Sequence, residues 1–197
     1  LGKLIQAVGP GPAHIVGSSF GAYAALVLAV REPGLVRTLV LGEPPLLPWL
    51  PRIPGGQARL DSFYRGAWEP AHRAFQAGDR EGGVRYFLDG VLGPGSYDKV
   101  PLSARAGLLA NAAEIMADTT PEGFFSPLSL EEVQRIRIPV LLLNAELSPR
   151  MFHLITDELS RCIPHAVRIQ IPEASHSMHL DNPRVFNESV IAFLENN

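Results

Sequence analysis

The amino-acid sequence predicts an α/β fold, in which parallel strands are connected by helices, and three observations lead to that prediction. The segment 13–18 (AHIVGS) is a short apolar run that ends in glycine and serine, and 20–31 (FGAYAALVLAVR) is apolar and helix-prone. A second β-type run, LVRTLVLG, follows a Glu-Pro-Gly stop at 32–34. The order strand, helix, strand is typical of a parallel sheet with helical crossovers.

Composition and charge limit the partners that the chain can have. With 197 residues, of which 46% are hydrophobic, the chain can bury one sizeable core. Its 17 Lys and Arg nearly balance 20 Asp and Glu with no long run of either sign, so we expect no nucleic-acid partner. No apolar stretch reaches the roughly 18 to 20 residues of a membrane span. The lone Cys162 has no partner for an internal disulfide and is expected to be buried, so we predict a cytoplasmic protein.

The chain is predicted to consist of a core that is interrupted by an insert. Residues 1–45 hold the strand-helix-strand unit of the core. Residues 46–135 show helical patterns punctuated by proline and glycine and no strand alternation, so they are predicted to form an inserted helical region. The core resumes at 136–197, with β-type runs near 137–146 and 165–176.

Two more helices are predicted in this last segment. The stretch PRMFHLITDELSRCI has apolar residues at helical spacing, and a final helix is expected at roughly 183–195. The residues that would share one face of the first of these helices are Met151, Phe152, Ile155, Leu159 and Cys162. The final helix would present apolar residues at similar spacing, namely Val185, Phe186, Val190, Phe193 and Leu194.

A serine motif lies between the first predicted strand and the first long helix. The segment GSSFG at 17–21 satisfies Gly-X-Ser-X-Gly in the strand-turn-helix context of a nucleophile elbow. A turn this tight is expected to leave no room for a Cβ atom at either glycine. The Ser19 hydroxyl would then project at the helix N-terminus, and the Phe20 amide is a candidate oxyanion donor. The simpler alternative is a glycine-serine turn in which the serine only caps a helix.

A serine nucleophile needs a base, and the segment after the last predicted strand supplies two histidines. In IPEASHSMHLDNP, His176 comes first after the strand and is the predicted base. His179 is expected to be an ordinary loop histidine. The spacing of His176, His179 and Asp181 matches no helical zinc motif, so no metal site is predicted.

Three segments together resemble the C-terminal two-thirds of an α/β-hydrolase of the esterase, epoxide hydrolase and haloalkane dehalogenase group. They are HIVGSSFGAYAALVLAVREPGLVRTLVLGEPP, IPVLLLNAELSP and IPEASHSMHLDNPRVFNESVIAFL. The resemblance implies a mostly parallel sheet with helices on both faces, a helical cap at 46–135, and His176 as the catalytic base. It also implies strands ahead of Ala13, so we expect a fragment that lacks the N-terminal strands, with 13–18 as an exposed sheet edge. The family's second oxyanion donor would lie in that missing part, and activity of these residues alone would be weak.

The third catalytic residue is where the sequence departs from the family pattern. The family usually carries an aspartate in the loop after the strand at 138–144, but the aligned residue here is Ser148, which has no carboxylate. Glu146 lies in the same loop, and Glu43 follows the preceding strand at a position from which some members of the group supply their acid. Glu43 is favoured, because a glutamate at the end of an apolar strand is costly to bury without a cationic or N–H partner.

The predicted function is hydrolysis of small or medium carboxylic esters through a serine triad and an acyl-enzyme, without a cofactor. Position 19 is a serine and not the aspartate that dehalogenases and epoxide hydrolases need. Hydrolysis of a carbon-carbon bond or a lactone by the same triad, and ligand binding without turnover, remain as alternatives. Bulky residues of the insert either line an apolar pocket or pack the insert itself; they are Phe63, Tyr64, Trp68, Phe75, Tyr86, Phe87, Leu88, Phe124 and Phe125.

Overall fold

The computed structural model describes residues 1–9, 11–119 and 128–197. Its strands are β1 (Ala13–Ser18), β2 (Val36–Gly42), β3 (Val140–Ala145) and β4 (Val167–Ile171). The helices in the described ranges are α1 (Gly2–Val8), α2 (Phe20–Arg31), α3 (Gly56–Phe63), α4 (Glu69–Gln76), α5 (Arg80–Leu92), α6 (Ser96–Lys99), α7 (Leu102–Ala110), α8 (Ala112–Asp118), α9 (Leu130–Val133), α10 (Arg150–Cys162), α11 (Met178–Asp181) and α12 (Pro183–Glu195). A π-helical turn, Tyr64–Trp68, joins α3 to α4, and 3₁₀ turns occur at Pro33–Leu35 and Leu47–Arg52.

The four strands form one parallel sheet in the order β1-β2-β3-β4. All of β3 and all of β2 except Arg37 are buried, which matches their nearly continuous apolar sequences. Each strand lies within the run that predicted it. The predicted α/β fold with a parallel sheet is confirmed.

Helices cover both faces of this sheet. The side chains of Leu141 and Leu143 pack in one cluster with Val190 and Phe193 of α12. Because side chains alternate along a strand, Asn144 points to the opposite face, where its side chain contacts α10. Helices α10 and α12 therefore lie on opposite faces of β3. Cys162 on α10 is buried, as expected.

The strand β1 lies at the edge of this sheet. Within the described part of the chain it pairs with β2 alone, and Val16 is 45% exposed. Helix α1, just before it, exposes the apolar side chains of Leu4 and Val8. An apolar sheet edge is therefore accessible, as the sequence predicted. No described helix has both the length and the apolar character that a bilayer span requires.

The chain divides into two compact units. One contains the described residues of Leu1–Trp49 and Pro127–Asn197 and holds the whole sheet, and the other contains those of Leu50–Ser126 and is helical. The helical unit has its own core, formed by the residues Ala71, Phe75, Val84, Leu88, Tyr97 and Ala112. Among the bulky residues of the insert, Tyr64 and Tyr86 are exposed at 39% and 45%. Phe124 and Phe125 lie outside the described residues.

The turn from β1 into α2 is tight at Gly17 but open at Gly21. A Cβ added to Gly17 would lie 2.5 Å from the carbonyl oxygen of Gly21 and 2.6 Å from the amide nitrogen of Ala22. A Cβ added to Gly21 would meet no atom of the described residues within 4 Å. The steric expectation is therefore correct for Gly17. It is wrong for Gly21, because this residue already lies in the first turn of α2 and its added Cβ would point into open space.

This asymmetry predicts opposite outcomes for two alanine substitutions. We expect Gly17→Ala to lower the free energy of unfolding by about 1–3 kcal/mol, because the strand end must move away from the helix backbone. Gly21→Ala is expected to be neutral or to stabilise by up to about 1 kcal/mol, because alanine is the better helix former. Urea unfolding followed by circular dichroism measures both values, and equal destabilisation by the two substitutions would contradict the turn geometry.

Candidate active site

The loops that follow the four strands meet at the carboxyl end of the sheet. Their backbones continue the hydrogen-bond ladder beyond the strands: the Ser19 amide donates to the Gly42 carbonyl at 2.8 Å, and the Glu43 amide donates to the Leu143 carbonyl at 3.3 Å. These bonds hold the residue after β1 against the end of β2, and the residue after β2 against β3. The loop after β4 brings His176 to the same place.

Ser19, His176 and Glu43 form a continuous line of hydrogen bonds. The Ser19 Oγ lies 2.8 Å from His176 Nε2, and His176 Nδ1 lies 2.7 Å from Glu43 Oε2. An ionised carboxylate only accepts, so Nδ1 carries the proton and donates to Glu43. In a neutral imidazole, Nε2 is then the acceptor for the Ser19 hydroxyl.

Four donors surround the Glu43 carboxylate, whose side chain is fully buried. Its Oε1 accepts from the Ala145 amide at 2.9 Å and from Asn144 Nδ2 at 3.3 Å. Its Oε2 accepts from the Ser148 hydroxyl and from His176 Nδ1, both at 2.7 Å. The N–H partners that the sequence argument required for a buried glutamate are therefore present.

These donors decide the protonation state of Glu43. Burial by itself raises the pKa of the carboxyl group, because it removes water from the charged form. The hydrogen bond from His176 and the charge that this residue carries when protonated, with the bonds from Ser148 and Ala145, outweigh that effect and leave the pKa of Glu43 below its ordinary value of 4.5. Glu43 is therefore an ionised carboxylate at neutral pH.

Backbone strain concentrates in the same loops. The non-glycine residues with positive φ in the described ranges are Ser19 at 51°, Glu43 at 48° and Glu173 at 55°. Two of them are members of the hydrogen-bonded line, and the third lies in the loop that carries His176. Such conformations cost on the order of 1–3 kcal/mol each and persist where the surrounding contacts hold them.

Glu146 is exposed and has a different partner. Its Oε2 accepts from the backbone amide of Glu173 at 2.8 Å, at the strained turn of the His176 loop. The Leu147 amide also donates to the Ala174 carbonyl of that loop at 2.8 Å. Glu146 thus braces the backbone that carries His176, whereas the imidazole itself is paired with Glu43.

Ser148 and Phe152 complete the surroundings of the imidazole. Ser148, the residue at the position of the family's usual acid, donates to Glu43 instead of accepting from His176. The Phe152 ring stacks on the imidazole, with 4.0 Å between centroids and 15° between planes. The sequence placed Phe152 on the buried face of α10 but contained no sign of this contact. The apolar ring covers one face of His176, which is 6% exposed.

The remaining predicted residues are distributed as follows. Phe20 is the first residue of α2 and follows Ser19 directly, so its amide lies at the positive end of the helix. The His179 ring contacts Phe186, and Asp181 accepts from the amide and hydroxyl of Ser175. In the described ranges, no group of three or more His, Cys, Asp or Glu side chains is placed to hold a metal ion.

The sheet is parallel, carries helices on both faces, and has the hydrogen-bonded line of Ser19, His176 and Glu43 at its carboxyl end. Hydrolases share this arrangement. Residues 1–189 match the model of the alpha/beta hydrolase family, and the chain belongs to that family. The resemblance noted in the sequence is confirmed at this level.

Individual proteins similar to this chain are named for different substrates. RutD of Azorhizobium caulinodans, named as a candidate carbamate hydrolase, is 26% identical over 98% of this chain and 70% of its own length. The structure of Est816, described as an N-acyl homoserine lactone degrading enzyme, is 20% identical with a TM-score of 0.67, over 96% of this chain and 70% of that one. Carboxylesterase CesB of Bacillus subtilis is 20% identical with a TM-score of 0.60, over 98% of this chain and 64% of that one. These two structural likenesses show the fold.

The lowered pKa of Glu43 predicts a pH-dependent contribution to stability. We expect Glu43→Gln to reduce the free energy of unfolding by about 1–3 kcal/mol at neutral pH, because charged hydrogen bonds are lost. Since the folded pKa lies below the unfolded one, the carboxylate stabilises the fold fully above about pH 4.5 and stops doing so as the pH falls through the folded pKa. The difference between the variant and the original protein should therefore shrink on acidification.

Urea unfolding at a series of pH values measures this difference, and Glu146→Gln is the matched control. Glutamine retains an acceptor for the Glu173 amide, so we expect a change within about 0.5 kcal/mol for this exposed position at every pH. A Glu43→Gln difference that stayed constant or grew on acidification would contradict the ionised, hydrogen-bonded state of Glu43.

Proposed function

We propose that this protein is a serine hydrolase of small or medium carboxylic esters. In this proposal Ser19 is the nucleophile, His176 the general base and acid, and Glu43 the acid that orients the imidazole. The observation that carries the proposal is the pair of hydrogen bonds from Ser19 Oγ to His176 Nε2 and from His176 Nδ1 to Glu43 Oε2. A helix-capping serine would need neither the buried carboxylate nor the histidine.

Acylation begins when Ser19 Oγ attacks the carbonyl carbon of the ester. The hydroxyl proton passes to His176 Nε2, and Glu43 stabilises the imidazolium through Nδ1. Negative charge develops on the carbonyl oxygen, for which the Phe20 amide at the N-terminus of α2 is the proposed donor. When the intermediate collapses, the ester C–O bond breaks and the departing alcohol takes the proton from Nε2.

Deacylation repeats these steps with water. Nε2 takes a proton from a water molecule as its oxygen attacks the acyl carbon, and the bond to Ser19 Oγ then breaks. The Ser19 oxygen regains its proton from Nε2, and the carboxylic acid leaves. No cofactor enters this cycle.

The choice of Glu43 over Glu146 as the acid rests on burial and on partners. The carboxylate of Glu43 is buried and hydrogen-bonded to the imidazole, which is what orienting a base requires. The carboxylate of Glu146 is exposed and engaged with the Glu173 amide. We therefore propose a Ser19-His176-Glu43 triad, with Glu146 acting on the loop backbone.

Carbamates are a second candidate substrate class. The relative RutD carries that name and aligns with 98% of this chain, and a carbamate offers the same acyl carbon to Ser19. Lactones, the substrates named for Est816, are cyclic esters and would follow the same two steps. We further propose that the helical insert predicted at 46–135, most of which forms the unit Leu50–Ser126, corresponds to the variable cap of the family.

Steady-state hydrolysis of p-nitrophenyl acetate and butyrate by the full-length protein and its variants tests the triad. We expect Ser19→Ala and His176→Gln each to lower kcat by a factor on the order of 10⁴ to 10⁶, because the nucleophile or its base is lost. Glu43→Gln should lower it about 10³- to 10⁴-fold, because the imidazole loses its orientation.

Glu146→Gln is the control that separates the two candidate acids, and it should retain kcat within about tenfold. A reversed ranking of Glu43 and Glu146 would assign the acid to the loop after β3. Equal rates for the original protein and Ser19→Ala, or no turnover in either, would instead favour a ligand-binding role for the fold.

A further inference from the structure

A buried amide lies directly behind the proposed catalytic carboxylate. Asn144, the fifth residue of β3, is 1% exposed. Its Nδ2 donates to Glu43 Oε1 at 3.3 Å and to Thr156 Oγ1 at 3.1 Å, and its Oδ1 accepts from Arg168 Nη2 at 2.9 Å. All of its polar atoms are therefore used, and they connect Glu43 to a cation.

Arg168 determines which way this amide faces. A guanidinium only donates, so the Asn144 atom that faces it must be the oxygen. A carboxylate only accepts, so the Asn144 atom that faces Glu43 must be the nitrogen. If the amide were rotated, the Asn144 oxygen would face the Glu43 carboxylate and the Asn144 nitrogen would face the Arg168 guanidinium. Both contacts would be repulsive.

Arg168 is in turn held by Asp157 on α10. The second guanidinium nitrogen, Nη1, lies 2.6 Å from Asp157 Oδ1, and the two side chains are 37% and 31% exposed. Partly exposed ion pairs contribute little stability on their own. The planar guanidinium does fix direction, because one nitrogen is bound to Asp157 while the other reaches Asn144.

We propose that Arg168 is a positioning residue for the proposed catalytic acid: clamped by Asp157, it orients the side-chain amide of Asn144 as a donor to Glu43. The inference rests on the proposed function in one respect, namely that Glu43 orients His176. Without the guanidinium, the Asn144 oxygen loses its donor, and only the contacts of the nitrogen with Glu43 and Thr156 hold the amide, so this donor to Glu43 is held less firmly. The carboxylate then holds His176 less firmly, although no group that touches substrate has changed.

The first test compares Arg168→Met with Arg161→Met. Methionine keeps the unbranched apolar stem of arginine and removes the guanidinium. Arg161 also lies on the protein surface in an ion pair with a residue of α10, Glu158 at 2.6 Å, and is the matched control. We expect Arg168→Met to lower kcat for p-nitrophenyl esters about tenfold with little change in KM, because orientation is lost and substrate contacts are kept. Arg161→Met should change neither.

The second test follows the acidic limb of the pH profile of kcat/KM. Asn144→Asp places a second carboxylate beside Glu43. We expect the midpoint of this limb to move upward by about one pH unit, because a second negative charge next to the Glu43 carboxylate favours protonation within the hydrogen-bonded line. Arg168→Met should move it in the same direction by less, and Arg168→Lys, which keeps a charged donor, should restore much of the original profile. A residue that only stabilised the fold would lower the melting temperature and leave the midpoint in place.

The NMR signal of the His176 Nδ1 proton decides the inference independently of turnover. This proton, which Nδ1 donates to a buried carboxylate, is expected to be strongly deshielded, and its resonance should shift or broaden in Arg168→Met and remain in Arg161→Met. An unchanged resonance in Arg168→Met would overturn the inference, as would an unchanged kcat and midpoint. A protein without Ser19-dependent turnover but with the expected NMR change would retain the positioning role while the proposed function failed. Should Arg168→Met not fold, Asn144→Asp provides the same readouts.

Discussion

The site depends on the burial of one negative charge, the carboxylate of Glu43, at the carboxyl end of an apolar sheet. An isolated charge in such a place costs several kcal/mol, and only hydrogen-bond donors can offset that cost. The donors come from β3, from the loop after it and from the loop after β4, through Asn144, Ala145, Ser148 and His176. The carboxylate therefore joins segments that are more than a hundred residues apart in the chain.

The backbone strain at the site follows from the same constraint. Ser19 and Glu43 adopt positive φ although neither is glycine, and Glu173 does so in the loop that Glu146 braces. The ladder bonds that continue past the strand ends hold the first two of these conformations, and the hydrogen bonds of His176 with Glu43 and Ser19 fix their side chains. Strain and burial thus support each other: the strained backbone aims the side chains, and the hydrogen bonds between those side chains keep the backbone strained.

Much of the fold and part of the site could be predicted from the sequence. The spacing of apolar residues and the local composition located the four strands and the helices α2, α10 and α12, because these elements form from residues that are close together in the chain. The Gly-X-Ser-X-Gly motif and the order of the segments were enough to nominate Ser19 and His176. The choice between Glu43 and Glu146 stayed open, because both follow adjacent strands and only the backbone at Glu43, with its distant donors, turns that side chain inward. The contact of Asn144 with Glu43 was not predicted. The signal was available, because Asn144 is a polar residue at the end of the apolar run VLLLN, and a buried polar side chain needs hydrogen-bond partners, as was argued for Glu43.

The most direct measurement of the central claim, that Glu43 and His176 activate the Ser19 hydroxyl, is covalent labelling by a fluorophosphonate. The serine oxygen attacks the phosphorus and fluoride leaves, which requires a base to remove the serine proton, and the resulting adduct mimics the tetrahedral intermediate. We predict a single phosphonyl adduct on the peptide that contains Ser19, located by mass spectrometry, and a much slower reaction in Glu43→Gln. No adduct at Ser19, or an equal labelling rate in Glu43→Gln, would contradict the claim.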